Sequence, residues 1–281
     1  MTENFNEKQV LPEGAHENFD GEMSYGDYLG LDKILSAQHP KSSEHDEPLF
    51  IIIHQATELW MKLILHELSA AQLLIADDNL SPAFKMLSRV SQIQTQMIQS
   101  WSVLSTMTPA DYLRFRDSLG QSSGFQSYQY REIEYRLGNK NKALLKPHAH
   151  RDDLRNRLQA ALDQPSLYDQ SILLLAKRGF EIDSALINRD WSERHLRNDS
   201  VQAAWESVYK NTEEYWDLYE LAEKLVDLED SFQQWRFRHL KTVSRIIGHR
   251  RGTGGTAGIN YLEKALQYCF FPELWDLRAS L

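Results

Sequence analysis

Cysteine is almost absent from this chain of 281 residues, in which Cys269 is the only one. A single thiol excludes an internal disulfide and fits a reducing compartment. No apolar run reaches the roughly 18 residues that a spanning helix needs. The first 22 residues are polar and acidic, which is unlike a signal peptide. We therefore expect a cytoplasmic protein that has no membrane partner.

Several common catalytic and binding motifs are also missing. No Gly-Lys-Ser or Gly-Lys-Thr follows the glycine-rich segment 252–257, so a nucleotide P-loop is excluded. That segment fits Gly-x-Gly-x-x-Ala, but a basic helical pattern precedes it where a dinucleotide site needs a strand. Gly-x-Ser-x-Gly does not occur. Glu-x-x-His, the di-iron motif of helical bundles, is found only at Glu13 to His16 in the polar beginning.

Strand patterns are absent, whereas helix starts are well marked. Asp46 precedes Pro48, Ser81 precedes Pro82, and Thr108 precedes Pro109 with an acid at residue 111. From Ser200 a helical pattern continues for nearly fifty residues, as two helices or as one that crosses the molecule. The sequence therefore predicts an all-α fold. Its expected parts are a polar tail at 1–22 and one helical-bundle domain at 23–281, built on long buried helices.

A basic helical segment that runs into a loop of Gly and Thr covers residues 233–258. It is free of acids from Arg236 to Arg251, although the net charge of the chain is -9. The acidic balance argues against nucleic acid as a partner, so this segment indicates a local site for an anionic group. On a helix, His239 shares one face with Trp235 and Val243. Such a histidine is either a satisfied core residue or a metal ligand.

A second histidine, His54, lies in an apolar helical run with Phe50 one turn before it. Apolar residues fall on every side from Phe50 to Leu68, which predicts a helix inside the bundle. His54 is again either a core residue or a site residue. Further along the chain, Tyr112 and Arg116 are one turn apart, so Arg116 is a candidate to clamp a carboxylate beside a ring, or it forms a surface ion pair.

Metal ligands are otherwise scarce. His148 and His150 form a His-x-His beside Pro147, but no second cluster has matching spacing, so we expect this pair to be exposed to solvent. If His239 binds a metal, the remaining ligands must come from a macrocycle whose carboxylates meet nearby arginines. That chemistry describes haem.

Four stretches carry a specific family resemblance, which covers the chain from about Tyr25 to Arg278. The chain resembles the bacterial tryptophan 2,3-dioxygenases in the following segments: LFIIIHQATELWMKLILHEL, QSWSVLSTMTPADYLRFRDSLGQSSGFQSYQYREIE, FQQWRFRHLKTVSRIIGHRRGTGGTAG and FFPELWDLR. The resemblance implies an all-helical enzyme with one haem b per subunit. This enzyme would insert O2 across the C2–C3 bond of the indole of L-tryptophan and give N-formyl-L-kynurenine.

The resemblance also implies roles for individual residues. His239 would be the axial ligand of the haem iron, with Trp101, Ser123 and Gly124 near the haem. His54 would be the catalytic distal histidine, hydrogen-bonded to the indole N–H. The remaining substrate-binding residues would be Phe50, Ile51, Ile52, Ile53, Tyr112, Arg116 for the carboxylate, and Thr253 for the amino-acid end.

An apolar segment at residues 23–31 adjoins the polar tail and needs a surface to pack on. Its Tyr25, Tyr28 and Leu29 are available to the chain's own core or to another subunit. The resemblance favours the second alternative. It implies a homotetramer, a dimer of dimers, in which this arm completes the substrate site of a neighbour.

Three other functions are kept as alternatives. A haem sensor or carrier would share the two histidines, but it would have no reason to bring Arg116 and Thr253 to a substrate. A non-catalytic helical interaction module would have no cofactor. An indoleamine dioxygenase would accept D-tryptophan and tryptamine as well as L-tryptophan.

Overall fold

The computed structural model describes residues 11–281, and no β-strand occurs among them. The prediction of an all-α fold is therefore confirmed. Two compact units divide the chain after Pro40. The predicted tail at 1–22 lies partly outside the described residues, and the predicted domain boundary at residue 23 stays a prediction.

In residues 11–40, the described part of the first unit, there are two short helices, α1 at Tyr25–Leu29 and α2 at Leu31–Leu35. Ser24 begins α1 with a capping box, in which its hydroxyl accepts from the amide of Asp27 and the Asp27 carboxylate accepts from the amide of Ser24. Gly30 separates the two helices because it adopts φ +61°, a left-handed conformation that costs glycine little.

The second unit, 41–281, contains the remaining helices. They are α3 Glu47–Ala76, α4 Leu80–Leu104, α5 Pro109–Phe115, α6 Tyr128–Leu137, α7 Asp152–Asp163, α8 Leu167–Lys177, α9 Ser184–Ile187, α10 Asp199–Lys210, α11 Trp216–Ile246, α12 Ile259–Leu266 and α13 Pro272–Asp276. Short 3-10 helices cover Arg116–Leu119, Gly124–Gln126, Lys142–His148 and Leu277–Ala279. The helical pattern after Ser200 is thus two helices, separated at residues 211–215.

Three long helices, α3, α4 and α11, form the centre of this unit. The buried stripe of α4 includes Val90, Ile93, Met97 and Trp101, as its periodicity predicts. The buried face of α11 runs from Leu218 to Ile246. Burying these apolar faces against one another is the main source of stability for such helices.

The expectation that α3 is buried on all sides is wrong. Ile52, Leu59 and Trp60 are exposed, and so is Leu73 near the end of the helix. Helix α3 is also long and apolar enough to cross a membrane, a property that core helices of globular proteins share. Its apolar surface exceeds what the neighbouring helices of the same unit cover.

Helix α6 is hydrogen-bonded both to α3, which carries His54, and to α11, which carries His239. Near its start, Gln129 donates from Nε2 to the main-chain oxygen of Glu58 on α3 at 2.8 Å. Near its end, Glu134 accepts from Arg236 on α11 at 2.6 Å, and both side chains are buried. A buried charge pair of this kind is costly to break, because the remaining charge would be left without a partner.

The end of α7 is capped by a side chain distant in sequence. The buried Nζ of Lys140 donates to the main-chain oxygens of Ala161, Leu162 and Gln164 at 2.9, 2.9 and 2.6 Å. The last carbonyls of a helix have no partner within the helix, and a cation at this end also interacts favourably with the helix dipole. Burial lowers the pKa of Lys140 to about 8.

Replacing Lys140 by Met should destabilise the second unit, because three main-chain carbonyls would lose the buried ammonium that donates to them. We expect the free energy of unfolding to fall by about 2 to 4 kcal/mol, measured by urea titration. The matched control is Lys142→Met, since Lys142 is exposed and pairs only with surface carboxylates. This control should change the free energy by less than about 1 kcal/mol. Equal losses in the two variants would contradict the capping role.

Candidate active site

His54 lies on α3 with one of its ring nitrogens already occupied. Its Nδ1 is 2.7 Å from the main-chain oxygen of Phe50, and the two rings have centroids 4.2 Å apart. Because a carbonyl oxygen only accepts, Nδ1 carries the hydrogen and Nε2 of the neutral ring is an acceptor. Burial lowers the pKa of His54 below its ordinary value, against the opposing effects of the Phe50 carbonyl and Glu58. The imidazole therefore presents a hydrogen-bond acceptor at neutral pH.

His239 lies on α11 among aromatic rings. Trp101 stacks on it with centroids 4.6 Å apart and planes within 10°, and Trp235 lies at 5.6 Å. Burial lowers the pKa of His239 to about 4, and the second cause is its electrostatic interaction with His54. His54 thus lies within electrostatic range of His239, although 185 residues separate them along the chain. His239 makes no hydrogen bond within residues 11–281, so its lone pair is not engaged by the described chain.

The wall behind His239 joins α4 to α11. Ser105 and Thr242 bring their hydroxyl oxygens within 3.2 Å of each other, one turn from Trp101 and His239 respectively. The Nε1 of Trp101 is buried and has no partner in the described residues. A buried indole N–H usually donates to an acceptor. A bound group with acceptor oxygens would supply one for Trp101.

Aromatic residues of α5 face Phe50. Thr108 begins α5 with a capping box, as the sequence predicts. The buried ring of Tyr112 is 6.0 Å from that of Phe50, and Phe115 is 5.7 Å from it. Sequence reasoning missed Phe115, although it lies three residues after Tyr112 and shares its helix face.

Arg116 lies directly after α5 and meets the glycine-rich loop. One of its terminal nitrogens donates to the main-chain oxygen of Arg251 at 2.8 Å. Its Nε is buried and unpartnered in the described residues. Arg116 forms no ion pair within residues 11–281, so the alternative of a surface ion pair is not what the structure shows. A guanidinium with an unused donor can take a carboxylate.

The glycine-rich loop 252–258 packs on the segment that follows Arg116. Thr253 donates from its hydroxyl to the main-chain oxygen of Ser122 at 2.5 Å. A methyl group added at Gly254 would lie 2.6 Å from the Cβ of Ser123, whereas one at Gly124 would meet nothing within 4 Å. The close approach at residue 254 requires glycine. The loop thereby brings Thr253 and Arg116 to one side of the site.

Other predicted residues have varied positions. Ile51 and Ile53 are half-buried, and the side chain of Ile52 is half exposed. Tyr25, Tyr28 and Leu29 belong to the first unit, where all three are exposed. The roles of these residues stay predictions.

The expectation for the His-x-His pair is wrong in part. His150 is exposed, but His148 is buried beneath the 3-10 helix of which it is the last residue. Within residues 11–281 no three or more of His, Cys, Asp and Glu are grouped to hold a metal ion. A metal at His239 would need its other ligands from a cofactor, and the buried, unpartnered indole N–H of Trp101 suits a planar group with acceptor oxygens. The residues present therefore fit haem.

Fold and site together define an all-helical protein with two neutral histidines, each packed against an aromatic ring. A family model for tryptophan 2,3-dioxygenase matches residues 11–205 and 181–281. The chain belongs to the tryptophan 2,3-dioxygenase family, which confirms the resemblance seen in the sequence. A tryptophan 2,3-dioxygenase of Ralstonia pickettii is 60% identical over 272 residues, covering 96% of this chain and 98% of the relative. One of Bacillus cereus is 57% identical over 276 residues, covering 98% and 99%.

Replacing Gly254 by Ala should push the loop away from Ser123. The adjoining Arg250 and Arg251 are exposed, and we expect trypsin to cut there several-fold faster in Gly254→Ala, because a released loop fits a protease more readily. The matched control is Gly124→Ala, where the added methyl group meets open space. Unchanged cleavage in Gly254→Ala would show that the packing on Ser123 does not hold the loop.

Proposed function

We propose that this chain is a haem-dependent dioxygenase that inserts both atoms of O2 across the C2–C3 bond of the indole ring of L-tryptophan. The product is N-formyl-L-kynurenine, and the reaction is the first step of tryptophan breakdown through the kynurenine pathway. Membership of the tryptophan 2,3-dioxygenase family supports the reaction. The observation that carries the proposal is the pair of neutral histidines, one with a free lone pair and one with an acceptor nitrogen.

His239 would hold haem b, one per subunit, by binding its iron. A lowered pKa keeps its imidazole neutral at physiological pH, which ligation requires. Trp101 would fix the plane of the imidazole by stacking, and Ser123 and Gly124 would lie beside the cofactor. The haem supplies the binding of O2 and the electron transfer, while the chain supplies orientation and a dry pocket.

His54 would orient the substrate by accepting a hydrogen bond from the indole N–H at Nε2. The hydrogen bond from Nδ1 to the Phe50 carbonyl fixes that tautomer. Phe50, Tyr112 and the 51–53 segment would surround the indole ring with apolar surface. A substrate without a ring N–H would leave the acceptor of His54 buried and unpaired, which costs affinity.

Arg116 and Thr253 would bind the amino-acid end of the substrate. The unpartnered Nε of Arg116 is available to the carboxylate, and Thr253 is held close by through the loop. Because Arg116 also donates to the main-chain oxygen of Arg251, carboxylate binding and loop position are connected through one side chain. This arrangement orders the loop around bound substrate and excludes water from it.

The working enzyme would be a cytoplasmic homotetramer, a dimer of dimers. Its arm at residues 23–31 would place Tyr25, Tyr28 and Leu29 in the substrate site of a neighbouring subunit. The exposure of these three apolar side chains supports that role, since exposed rings of this size are common at interfaces.

The proposed reaction is tested with the purified, haem-loaded and reduced protein. L-tryptophan and air are added while the absorbance of N-formylkynurenine and the haem Soret band are followed together. We expect product to form with the Soret band present. A Soret band without product would support a haem sensor or carrier instead, and equal turnover of D-tryptophan or tryptamine would support an indoleamine dioxygenase.

Replacing Arg116 by Ala should weaken substrate binding, because the carboxylate loses a charge-assisted hydrogen bond. The expected rise in KM for L-tryptophan is roughly ten- to a hundredfold, which corresponds to about 1.5 to 3 kcal/mol. Arg114→Ala is the matched control, since Arg114 is exposed two residues earlier and pairs only weakly with Glu44. Normal affinity in Arg116→Ala would remove the carboxylate role.

Replacing His239 by Ala should abolish tight haem binding while the fold persists. The measurement is haemin titration followed by the Soret band, with far-ultraviolet circular dichroism as a check of folding. His249→Ala is the control, because His249 is exposed in the same basic segment. Full haem retention by His239→Ala would exclude the ligand assignment.

Replacing His54 by Ala should slow turnover without abolishing it, because His54 positions the indole and the haem remains. We expect a loss of roughly ten- to a hundredfold in kcat/KM, and a smaller loss for 1-methyltryptophan, which has no indole N–H to donate. Equal losses for the two substrates would contradict the proposed hydrogen bond.

A further inference from the structure

Two hydroxyl groups connect α4 and α11 beside the stack of Trp101 on His239. The Oγ of Ser105 lies 3.2 Å from the Oγ1 of Thr242. Ser105 follows the last residue of α4, one turn after Trp101, and Thr242 lies three residues after His239 on α11. Each hydroxyl therefore shares a helix face with one of the stacked rings. Thr242 is buried and Ser105 is half-buried, so this contact belongs to the packed boundary between the two helices.

The direction of the hydrogen bonds follows from the number of hydrogens available. The Ser105 hydroxyl is 2.6 Å from the main-chain oxygen of Trp101, which can only accept, so Ser105 donates there. A hydroxyl has one hydrogen, and Ser105 has none left for Thr242. Thr242 is therefore the donor in the contact between the two hydroxyls. A continuous hydrogen-bond chain runs from the Thr242 hydroxyl through the Ser105 hydroxyl to the Trp101 carbonyl.

A hydrogen bond between helices is not the usual one for a threonine within a helix. Thr57 on α3 and Thr95 on α4 each donate to the carbonyl four residues earlier in their own helix, at 2.8 and 3.1 Å. Such bonds do not join one helix to another. The hydroxyl of Thr242 instead contacts a residue 137 positions away in the sequence. Valine has the same branched shape, so packing alone does not require a hydroxyl at this position.

The stacked rings are also contacted by Trp235, one turn before His239. Its ring centroid is 5.6 Å from that of Trp101 and 5.6 Å from that of His239. The Trp101 carbonyl accepts from the Ser105 amide at 2.9 Å as well as from its hydroxyl, which fixes the last turn of α4. The planes of Trp101 and His239 lie within 10° of each other. A shift of this turn against α11 would tilt one ring against the other, and the hydrogen-bond chain opposes that shift.

We propose that Thr242 and Ser105 are positioning residues for the proposed haem ligand, because their hydrogen-bond chain holds Trp101 parallel to the His239 imidazole. An imidazole held in one orientation keeps its lone pair directed at one point. Groups that orient a metal ligand in this way commonly change metal affinity by about ten- to a hundredfold. The proposal rests on the proposed role of His239, so its test includes a measurement without haem.

Replacing Thr242 by Val tests the chain with little change of shape. Ser105 keeps its bond to the Trp101 carbonyl, so the thermal unfolding of the haem-loaded variant should resemble that of the parent. We expect its haem to transfer to excess apomyoglobin about tenfold faster, followed by visible absorption. In the reduced protein, the iron–histidine stretching band of the resonance Raman spectrum should shift or broaden. Thr242→Ser restores the hydroxyl and should return both readings towards those of the parent.

The matched control is Thr95→Val, which makes the same substitution at an exposed position of α4. There the hydroxyl donates to a carbonyl of its own helix. Haem transfer and the Raman band should both match those of the parent. If Thr242→Val also matches the parent, or if Thr242→Ser behaves like Thr242→Val, the positioning role is wrong.

Replacing Ser105 by Ala tests whether the two hydroxyls act as one chain. This change removes both the acceptor of Thr242 and the donor to the Trp101 carbonyl, so the Thr242 hydroxyl should have nothing left to contribute. We expect the double variant Ser105→Ala with Thr242→Val to release haem within about twofold of the rate of Ser105→Ala alone. If the two increases in rate multiply, the hydroxyls act independently and the chain is refuted.

A measurement on the haem-free protein separates this proposal from the ligand assignment. The ring current of Trp101 shifts the proton resonances of the stacked His239 imidazole, which are identified by their absence from His239→Ala. These resonances should move in Thr242→Val and stay in place in Thr95→Val. Unchanged resonances in Thr242→Val would show that the chain does not hold the stack. A shift combined with full haem retention by His239→Ala would confirm the hold on the stack and overturn its link to haem.

Discussion

The stacking of Trp101 on His239 is the contact on which the site depends. It lies where α4 and α11 pack together, and it buries the imidazole against an apolar wall, so that the neutral form is favoured. A protonated His239, or one whose lone pair accepted a hydrogen bond, would have no lone pair to offer a metal. The nearby contact of Ser105 with Thr242 fastens the same two helices. Packing between helices thus sets the chemistry of this histidine.

A second constraint fixes the distance between the two histidine helices. Gln129 at one end of α6 binds α3 one turn after His54, and Glu134 towards the other end binds Arg236 one turn before His239. Arg131 also contacts Glu134, which gives the buried carboxylate a second cation. Buried polar groups that satisfy each other favour one arrangement of these helices over others. The helices that carry the two histidines are therefore held in one arrangement by the chain's own contacts.

Local signals predicted much of the fold because they act over a few residues. The capping box at Thr108 and the helix start beside Asp46 and Pro48 occur where the sequence indicates them. Burial was predicted less well. His148 is buried, although it was expected to be exposed to solvent. Ile52 is half exposed, although α3 was expected to be buried on all sides. Which side of a helix is covered depends on neighbours distant in sequence, and no local pattern contains them.

The sequence by itself determined the helical class, the starts of its helices and the residue types available for chemistry, because propensity, capping and composition are local properties. It also carried the family resemblance, in four segments of the chain. Only the tertiary structure decided that His54 lies within electrostatic range of His239 and that Arg116 donates to the main-chain oxygen of Arg251. Those contacts join residues more than a hundred positions apart. They follow from the way in which the long helices pack together, and this packing depends on the buried faces of all the helices.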